Sequence, residues 1–141
     1  MIKVLVIFGT RPEAIKLAPV IQEMGNHPGR IEPRVCVTGQ HRHMLHQVLD
    51  LFDIVPHRDL DLMEEDQTLA DLTANVVRGV DPVLAQERPD LVLVQGDTTT
   101  VFAAALAAFY RRLPVAHLEA GLRTLDKYSP FPEEINRRLV S

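Results

Sequence analysis

Ionisable and hydroxyl side chains cluster at four places in the sequence, each beside a short aliphatic run that ends at or near a glycine. The clusters are Gly9–Glu13, Gly39–His43, Gly96–Thr100 and His117–Thr124. Their carboxylates can move protons, and their arginines can bind an anion such as phosphate. Short continuous aliphatic runs are typical of strands buried on both faces of a parallel sheet. Because ligands bind outside the carboxyl ends of such strands, the clusters predict one shared site.

The first cluster offers cationic groups to an anion. Arg11 is a forked donor that suits phosphate, and Lys16 follows it along the chain. Gly9 and the free N–H groups of a helix start could receive the same anion. Alternatively, the segment is a tight turn whose arginine faces solvent. The fingerprints G-x-G-x-x-G and G-x-x-x-x-G-K-[ST] are absent, so neither an NAD-binding domain nor a P-loop NTPase is predicted.

The second cluster, Gln40–His43, is followed by His46. Its side chains could contact a phosphate or a sugar hydroxyl, and a solvated, slightly basic helix turn is the alternative. Histidine ligands on a helix usually lie four residues apart and are joined by acidic or thiol partners. The sequence therefore predicts no metal site, and it predicts no cofactor.

Acidic residues accompany the third and fourth clusters. Asp97 precedes three threonines, whose low helix propensity favours ligand contacts for their hydroxyls. A helix N-cap would explain Asp97 equally well. His117 and Glu119 alternate along a predicted central strand and should lie on the same side of it. Ionisable residues there have either a function or a partner, so a catalytic role and a buried pair that stabilises the sheet both remain open.

A proline-bracketed loop precedes the last predicted helix, whose first turn carries Glu133 and Glu134. Acids at this position interact favourably with the helix dipole by ~0.3–1 kcal/mol each, which accounts for them without any function. A rigid loop could also hold a catalytic carboxylate in place.

Alternating strands and helices must position these side chains. Aliphatic runs predict strands near residues 4–8, 31–38, 58–60, 91–95 and 114–119, and helical spacing predicts helices near 13–24, 43–52, 68–87, 98–112 and from 133 onward. Thr10 and Glu13 form a capping box, and Pro82 should kink the long helix or restart it with Asp81 as a new cap. The predicted fold is α/β, a three-layer doubly wound parallel sheet of the Rossmann-like type.

Composition restricts the function classes. The chain has 141 residues, which is the size of one domain, and its net charge of −4 without a basic stripe argues against a nucleic-acid binder. No apolar run approaches the ~20 residues of a membrane span, and no signal-peptide pattern is present. The single cysteine, Cys36, lies in an apolar run and is expected to be a buried thiol, which is compatible with the cytoplasm.

Five motifs together resemble one enzyme family in order and in register along essentially the whole chain. That family is the non-hydrolysing UDP-N-acetylglucosamine 2-epimerases. The motifs are Phe8–Lys16, Gly39–Arg42, Gly96–Thr100, His117–Thr124 and Tyr128–Arg137.

The resemblance implies the two-domain GT-B fold, with residues 1–141 as the amino-terminal Rossmann-like domain, ending near its last helix, and a carboxyl-terminal nucleotide-binding domain missing. It implies a cytoplasmic homodimer of cell-envelope polysaccharide biosynthesis. The enzyme would interconvert UDP-N-acetylglucosamine and UDP-N-acetylmannosamine by eliminating UDP to a 2-acetamidoglucal and adding it back. The fragment alone is expected to be inactive.

The resemblance also implies roles for individual residues. The catalytic carboxylates are Asp97, Glu119 and Glu133; the substrate-binding residues are Arg11, Lys16, Thr98, His117 and Arg123; and the residues of a regulatory UDP-N-acetylglucosamine site are Gln40 and His41. Two departures argue against activation by a second substrate molecule. His43 replaces a common glutamine, and the acidic segment Glu64–Asp66, which would repel a diphosphate, stands where the family carries a basic residue.

Three alternatives remain on the sequence alone. The complete protein could be a hydrolysing 2-epimerase that releases free N-acetylmannosamine, or a GT-B glycosyltransferase that needs an acceptor. The fragment by itself could be a non-catalytic ligand-binding or dimerising module.

Overall fold

The computed structural model describes residues 1–39, 42–62 and 64–141 and contains one parallel sheet of five strands in the order β3-β2-β1-β4-β5. Its elements, in chain order, are β1 Ile2–Phe8, α1 Arg11–Gly25, β2 Ile31–Val37, α2 Arg42–Leu51, β3 Arg58–Asp59, α3 Leu69–Glu87, β4 Leu91–Gln95, α4 Thr99–Tyr110, β5 Val115–Leu118 and α5 Glu133–Val140. The predicted Rossmann-like α/β fold is therefore confirmed, and element boundaries differ from the prediction by only a few residues.

Strand β1 is the centre of two separate cores. Val4, Val6 and Phe8 pack with α1 and α2 on one face of the sheet. Leu5 and Ile7 pack with α3 and α4 on the other face. Burial of such a side chain contributes roughly 1.5–3 kcal/mol relative to exposure, so a continuous aliphatic run is the pattern that stabilises a strand covered on both sides.

The prediction that the long helix restarts at Pro82 with Asp81 as its cap is wrong. Helix α3 is continuous from Leu69 to Glu87 and contains Pro82, so Asp81 does not cap a restarted helix. Asp81 instead accepts hydrogen bonds from Arg111 at 2.5 and 3.0 Å. The α3 residues beyond the proline, such as Val83 and Leu84, are buried in the core shared with α4, and this packing outweighs the lost backbone hydrogen bond.

The N-cap of α4 is Thr98, whose hydroxyl accepts from the backbone N–H of Val101 at 3.3 Å. Asp97 is therefore not the cap and remains available for another contact. The prediction that Glu119 lies inside a central strand is also wrong. Strand β5 is at the edge of the sheet, and it ends at Leu118, one residue before Glu119.

The prediction for Cys36 is confirmed. Its side chain is fully buried, and burial raises the pKa of the thiol to about 12. No helix within the described ranges is long and apolar enough to cross a membrane. Those same ranges contain no group of three or more His, Cys, Asp or Glu residues placed to hold a metal ion.

Candidate active site at the centre of the sheet

Strands β1 and β4 are neighbours, and the chain winds from β1 toward β2 on one side and from β4 toward β5 on the other. Ligands of doubly wound folds bind at this switch point, outside the carboxyl ends of the strands. A pocket lies there, lined by the last residue of β4 and by residues that follow β1, β4 and β5. They are Thr10, Pro12, Glu13, Lys16, Gln95, Gly96, Asp97, Thr98 and Glu119. Three of the four polar clusters predicted to share a site thus meet at one place.

Glu13 links the segment that follows β1 to the segment that follows β4 through hydrogen bonds. Its carboxylate accepts from the backbone N–H groups of Gly9 and Thr10 at 2.8 and 2.9 Å and from the hydroxyl of Thr98 at 2.6 Å. Burial raises the pKa of Glu13, and these hydrogen bonds oppose the rise. Because Glu13 already occupies both backbone donors, the prediction that the Gly9 turn offers free N–H groups to an anion is wrong for these two residues.

Lys16 and Glu119 face each other across the pocket. Lys16 Nζ lies 2.6 Å from Glu119 Oε1, and both side chains are about half exposed. Glu119 therefore pairs with a cation of α1, and the alternative of a His117–Glu119 pair is not observed. The backbone of Glu119 has φ +58°, a region that a residue with a side chain seldom occupies. Such conformations cost on the order of 1–3 kcal/mol and concentrate at functional sites.

Asp97 is held from α5. Arg137 Nη1 donates to Asp97 Oδ2 at 2.6 Å, and the amide of Asn136 donates to the backbone carbonyl of Asp97 at 2.9 Å. Arg137 Nη2 also donates to Glu134 at 2.7 Å. The Arg137 hydrogen bond is the main cause that lowers the pKa of Glu134 to about 2. The pocket wall is thus connected to a buried ion pair in the last helix.

The remaining predicted substrate-binding residues lie around this pocket. Arg11 is exposed and lines an adjoining depression that shares Thr10, Pro12 and Lys16 with the pocket. His117 donates through Nε2 to the Gly96 carbonyl at 2.6 Å. Arg123 is exposed and donates to the carbonyls of Ala120 and Leu122, both at 2.7 Å.

Other predicted residues are less closely placed. Glu133 is partly buried in the first turn of α5 and does not line the pocket. Gln40 and His41, the predicted regulatory residues, lie outside the described residues. His46, from the same predicted cluster, contacts Asp59 at 3.0 Å.

Sequence reasoning assigned no role in the site to Glu13 or Arg137, and it considered Glu134 only as one of two acids in the first turn of the last helix. Glu13 was visible only as the second member of a capping box. The acid at 134 and the arginine three residues later have the spacing of a helical ion pair, which usually indicates an exposed pair. Their burial depends on α5 packing against α4, which the spacing does not show.

Comparison with known proteins identifies the family. The family model for UDP-N-acetylglucosamine 2-epimerase matches residues 22–141. The chain is 58% identical over 139 residues to UDP-N-acetylglucosamine 2-epimerase of Neisseria meningitidis, covering 99% of this chain and 37% of that protein. The solved structure of the Neisseria meningitidis enzyme bound to UDP-GlcNAc superposes with a TM-score of 0.94 at 57% identity, covering 98% of this chain and 37% of that one.

A more distant structure shows the same likeness. The Methanocaldococcus jannaschii UDP-GlcNAc 2-epimerase in complex with UDP-GlcNAc and UDP superposes with a TM-score of 0.89 at 38% identity, covering 98% of this chain and 37% of that one. The chain therefore spans little more than a third of the length of these relatives. The Neisseria meningitidis protein matches nearly the whole chain, including the strand-end segments that line the pocket, and the chain belongs to the UDP-N-acetylglucosamine 2-epimerase family.

Proposed function

We propose that the protein carrying this chain interconverts UDP-N-acetylglucosamine and UDP-N-acetylmannosamine. The observation that carries the proposal is the pocket at this switch point, whose lining includes Lys16 together with the carboxylates of Asp97 and Glu119. In this proposal the chain is the amino-terminal domain of a GT-B enzyme, and a carboxyl-terminal domain closes the other side of the cleft. Relatives named for this activity, with the ligands printed for their structures, support it.

The reaction needs acid/base groups and cations together. A base removes the proton at C2, the released electron pair forms the C1–C2 double bond, and the C1–O bond breaks so that UDP leaves with its electrons. UDP then adds back to the 2-acetamidoglucal while a proton is delivered to the opposite face of C2. More than one acid/base group is required, and Asp97, Glu119 and Glu133 are the proposed set. Lys16 and Arg11 stabilise the charge that develops on the diphosphate.

Three further residues complete the proposed substrate contacts: Thr98, His117 and Arg123. Thr98 lines the pocket, whereas Arg123 must exchange its bonds to the loop carbonyls for bonds to the ligand. The complete protein is proposed to act in the cytoplasm as a homodimer. Light scattering at several protein concentrations measures the dimer directly.

Incubation of the complete protein with UDP-N-acetylglucosamine in D₂O tests the mechanism. Deuterium should appear at C2 of both sugars, because each passage through the 2-acetamidoglucal exchanges that hydrogen with solvent. Absence of deuterium at C2 would exclude the elimination route and favour a glycosyltransferase. Accumulation of UDP and free N-acetylmannosamine in equal amounts would instead identify a hydrolysing 2-epimerase.

The isolated chain of residues 1–141 should be inactive in the same assay, because it supplies only one wall of the proposed cleft. Turnover by the isolated chain at an enzyme-like rate would refute the proposed division of the site between two domains.

A further inference from the structure

A charged cluster in α5 lies directly behind the Asp97 carboxylate. Glu134 and Arg137 are 0% and 5% exposed, so both charges are removed from water. Burying two charges is costly, and a buried ion pair often stabilises a protein no more than apolar side chains of the same volume would. The stability of the fold therefore does not by itself account for this pair, and its contacts indicate what else it does.

Glu134 is fixed from several directions. Its Oε1 accepts from the backbone N–H of Thr124 at 3.0 Å and from Arg138 Nη2 at 2.9 Å, while Oε2 accepts from Arg137 at 2.7 Å. The pKa of Glu134 is lowered to about 2, and the hydrogen bond from Arg137 is the largest cause. This carboxylate is therefore ionised at neutral pH. A fully bonded, ionised Glu134 leaves the Arg137 guanidinium little freedom to rotate.

Arg137 and its neighbour Asn136 then hold Asp97 at two points. Arg137 Nη1 is 2.6 Å from Asp97 Oδ2, and the Asn136 amide is 2.9 Å from the Asp97 carbonyl oxygen. The backbone and one carboxylate oxygen of Asp97 are thus both fixed by α5. The Asp97 side chain remains 31% exposed and lines the pocket, so the rest of its carboxylate is accessible to a ligand.

We infer that Arg137 is a positioning residue for the reaction: fixed by Glu134, it orients the Asp97 carboxylate toward the substrate in the switch-point pocket. This inference rests on the proposed function. It assigns no contact between Arg137 and the substrate, because Arg137 lies behind the carboxylate and is buried. A planar guanidinium bonds two carboxylates at once in a fixed geometry, which a lysine ammonium does not reproduce.

The test compares variants of the complete protein in the C2 exchange assay. Arg137→Ala should lower kcat by about 100-fold with little change in KM, since a small misplacement of a reacting group costs that much in rate. Arg137→Lys should recover part of the loss. Added guanidinium ion, which fits the space left by the side chain, should raise kcat of Arg137→Ala and leave the wild-type rate unchanged.

Arg138→Ala is the matched control. Arg138 donates to the same carboxylate of Glu134 but makes no hydrogen bond with Asp97 among the described residues. Its loss removes a donor to Glu134 but leaves the hydrogen bonds of Arg137 with Glu134 and Asp97 in place, so kcat should fall far less than in Arg137→Ala. Thermal unfolding and far-ultraviolet circular dichroism of each variant report whether the fold is retained.

Equal kcat values for Arg137→Ala and Arg138→Ala would overturn the inference, as would a fall in kcat that neither lysine nor guanidinium ion reverses. If Arg137→Ala does not fold, kcat of the Arg137→Lys variant is the deciding measurement. A folded lysine variant with wild-type kcat would then overturn the inference. The proposed function is tested separately, by the wild-type protein alone. If the proposed function is wrong, the wild-type protein shows no exchange at C2.

Discussion

Lys16 Nζ lies 2.6 Å from Glu119 Oε1, and this contact joins the first helix to the segment that follows the last strand. Both side chains are about half exposed, and an exposed ion pair contributes only about 0–1 kcal/mol to stability. The pair therefore does little to hold the fold together. In the proposed reaction, the substrate diphosphate would compete with Glu119 for the ammonium of Lys16, because Lys16 lines the switch-point pocket, and the Glu119 carboxylate would become free for proton transfer.

Lys16→Met should separate activity from stability. The loss of the proposed contact between Lys16 and the diphosphate should lower kcat/KM by roughly 10- to 100-fold, because hydrogen bonds to charged groups are worth about 1.5–3 kcal/mol. The free energy of unfolding should change by less than about 1 kcal/mol. Steady-state kinetics and urea denaturation of the complete protein measure the two quantities. Lys127→Met, on the exposed loop before α5, is the control. Equal kcat/KM values for the two variants would show that Lys16 does not contact the substrate.

Glu13 connects α1 to the N-terminus of α4. Its replacement should lower the free energy of unfolding, and the loss should increase with the number of hydrogen-bond donors left without an acceptor. Glu13→Ala leaves the N–H groups of Gly9 and Thr10 without an acceptor, at a cost of about 1–3 kcal/mol for each buried group. Glu13→Gln keeps an acceptor for these N–H groups and a donor for Thr98, so it should be considerably more stable. Urea unfolding midpoints rank the variants. If alanine and glutamine destabilise equally, the hydrogen bonds of Glu13 are not what stabilises the turn.

Much of the fold follows from local sequence patterns. The run Val4–Phe8 is apolar throughout because helices cover both of its faces, and an unbroken run of this kind indicates a central parallel strand. The short strand β5 was predicted to be central as well, but it lies at the sheet edge. Strand order depends on which crossovers the chain takes, and no local pattern records that choice.

The site was predictable only in part, because some of its contacts join residues that are far apart in the sequence. Asp97 and Glu119 could be located because they follow strand ends, and Lys16 because it belongs to the motif that begins at the end of β1. The contact between Arg137 and Asp97 spans 40 residues of sequence, and it forms only when α5 packs on α4. The left-handed backbone of Glu119 was equally hidden, since the sequence offers a glycine two positions later as the more obvious residue for such a conformation.

Glu87 should make stability depend on pH in the acid range. Arg34 donates to its carboxylate through Nε and Nη2 at 2.9 and 3.0 Å, and Arg58 donates at 3.1 Å. These hydrogen bonds, led by Arg34, lower the pKa of Glu87 to about 2. A depressed carboxylate pKa means that the folded state binds its proton less readily than the unfolded state does. The resulting stabilisation is complete above the ordinary pKa near 4.5 and is lost as the pH falls from there through about 2.

Glu87→Gln should therefore be less stable than the wild type at pH 7, and the difference should shrink between pH 4.5 and pH 2. Urea unfolding at pH 7, 4 and 3 measures it. Asp81→Asn is the control, because the Asp81–Arg111 pair is exposed and should contribute much less. A difference between Glu87→Gln and the wild type that is the same at every pH would show that Glu87 acts through packing and not through its charge.

Glu119 offers the clearest separation of catalysis from folding, because its backbone conformation is one that glycine adopts at no steric cost. Glu119→Gly should leave the protein as stable as the wild type or more stable, since relief of the left-handed strain offsets the loss of a weak surface ion pair. The same variant should lose about 10²- to 10⁴-fold in the rate of C2 exchange if the carboxylate transfers a proton, and Glu119→Gln should lose a similar factor. Thermal unfolding and deuterium incorporation by the complete protein give the two values. Destabilisation of the glycine variant without a separate effect on rate would mean that Glu119 supports the sheet edge and takes no part in the chemistry.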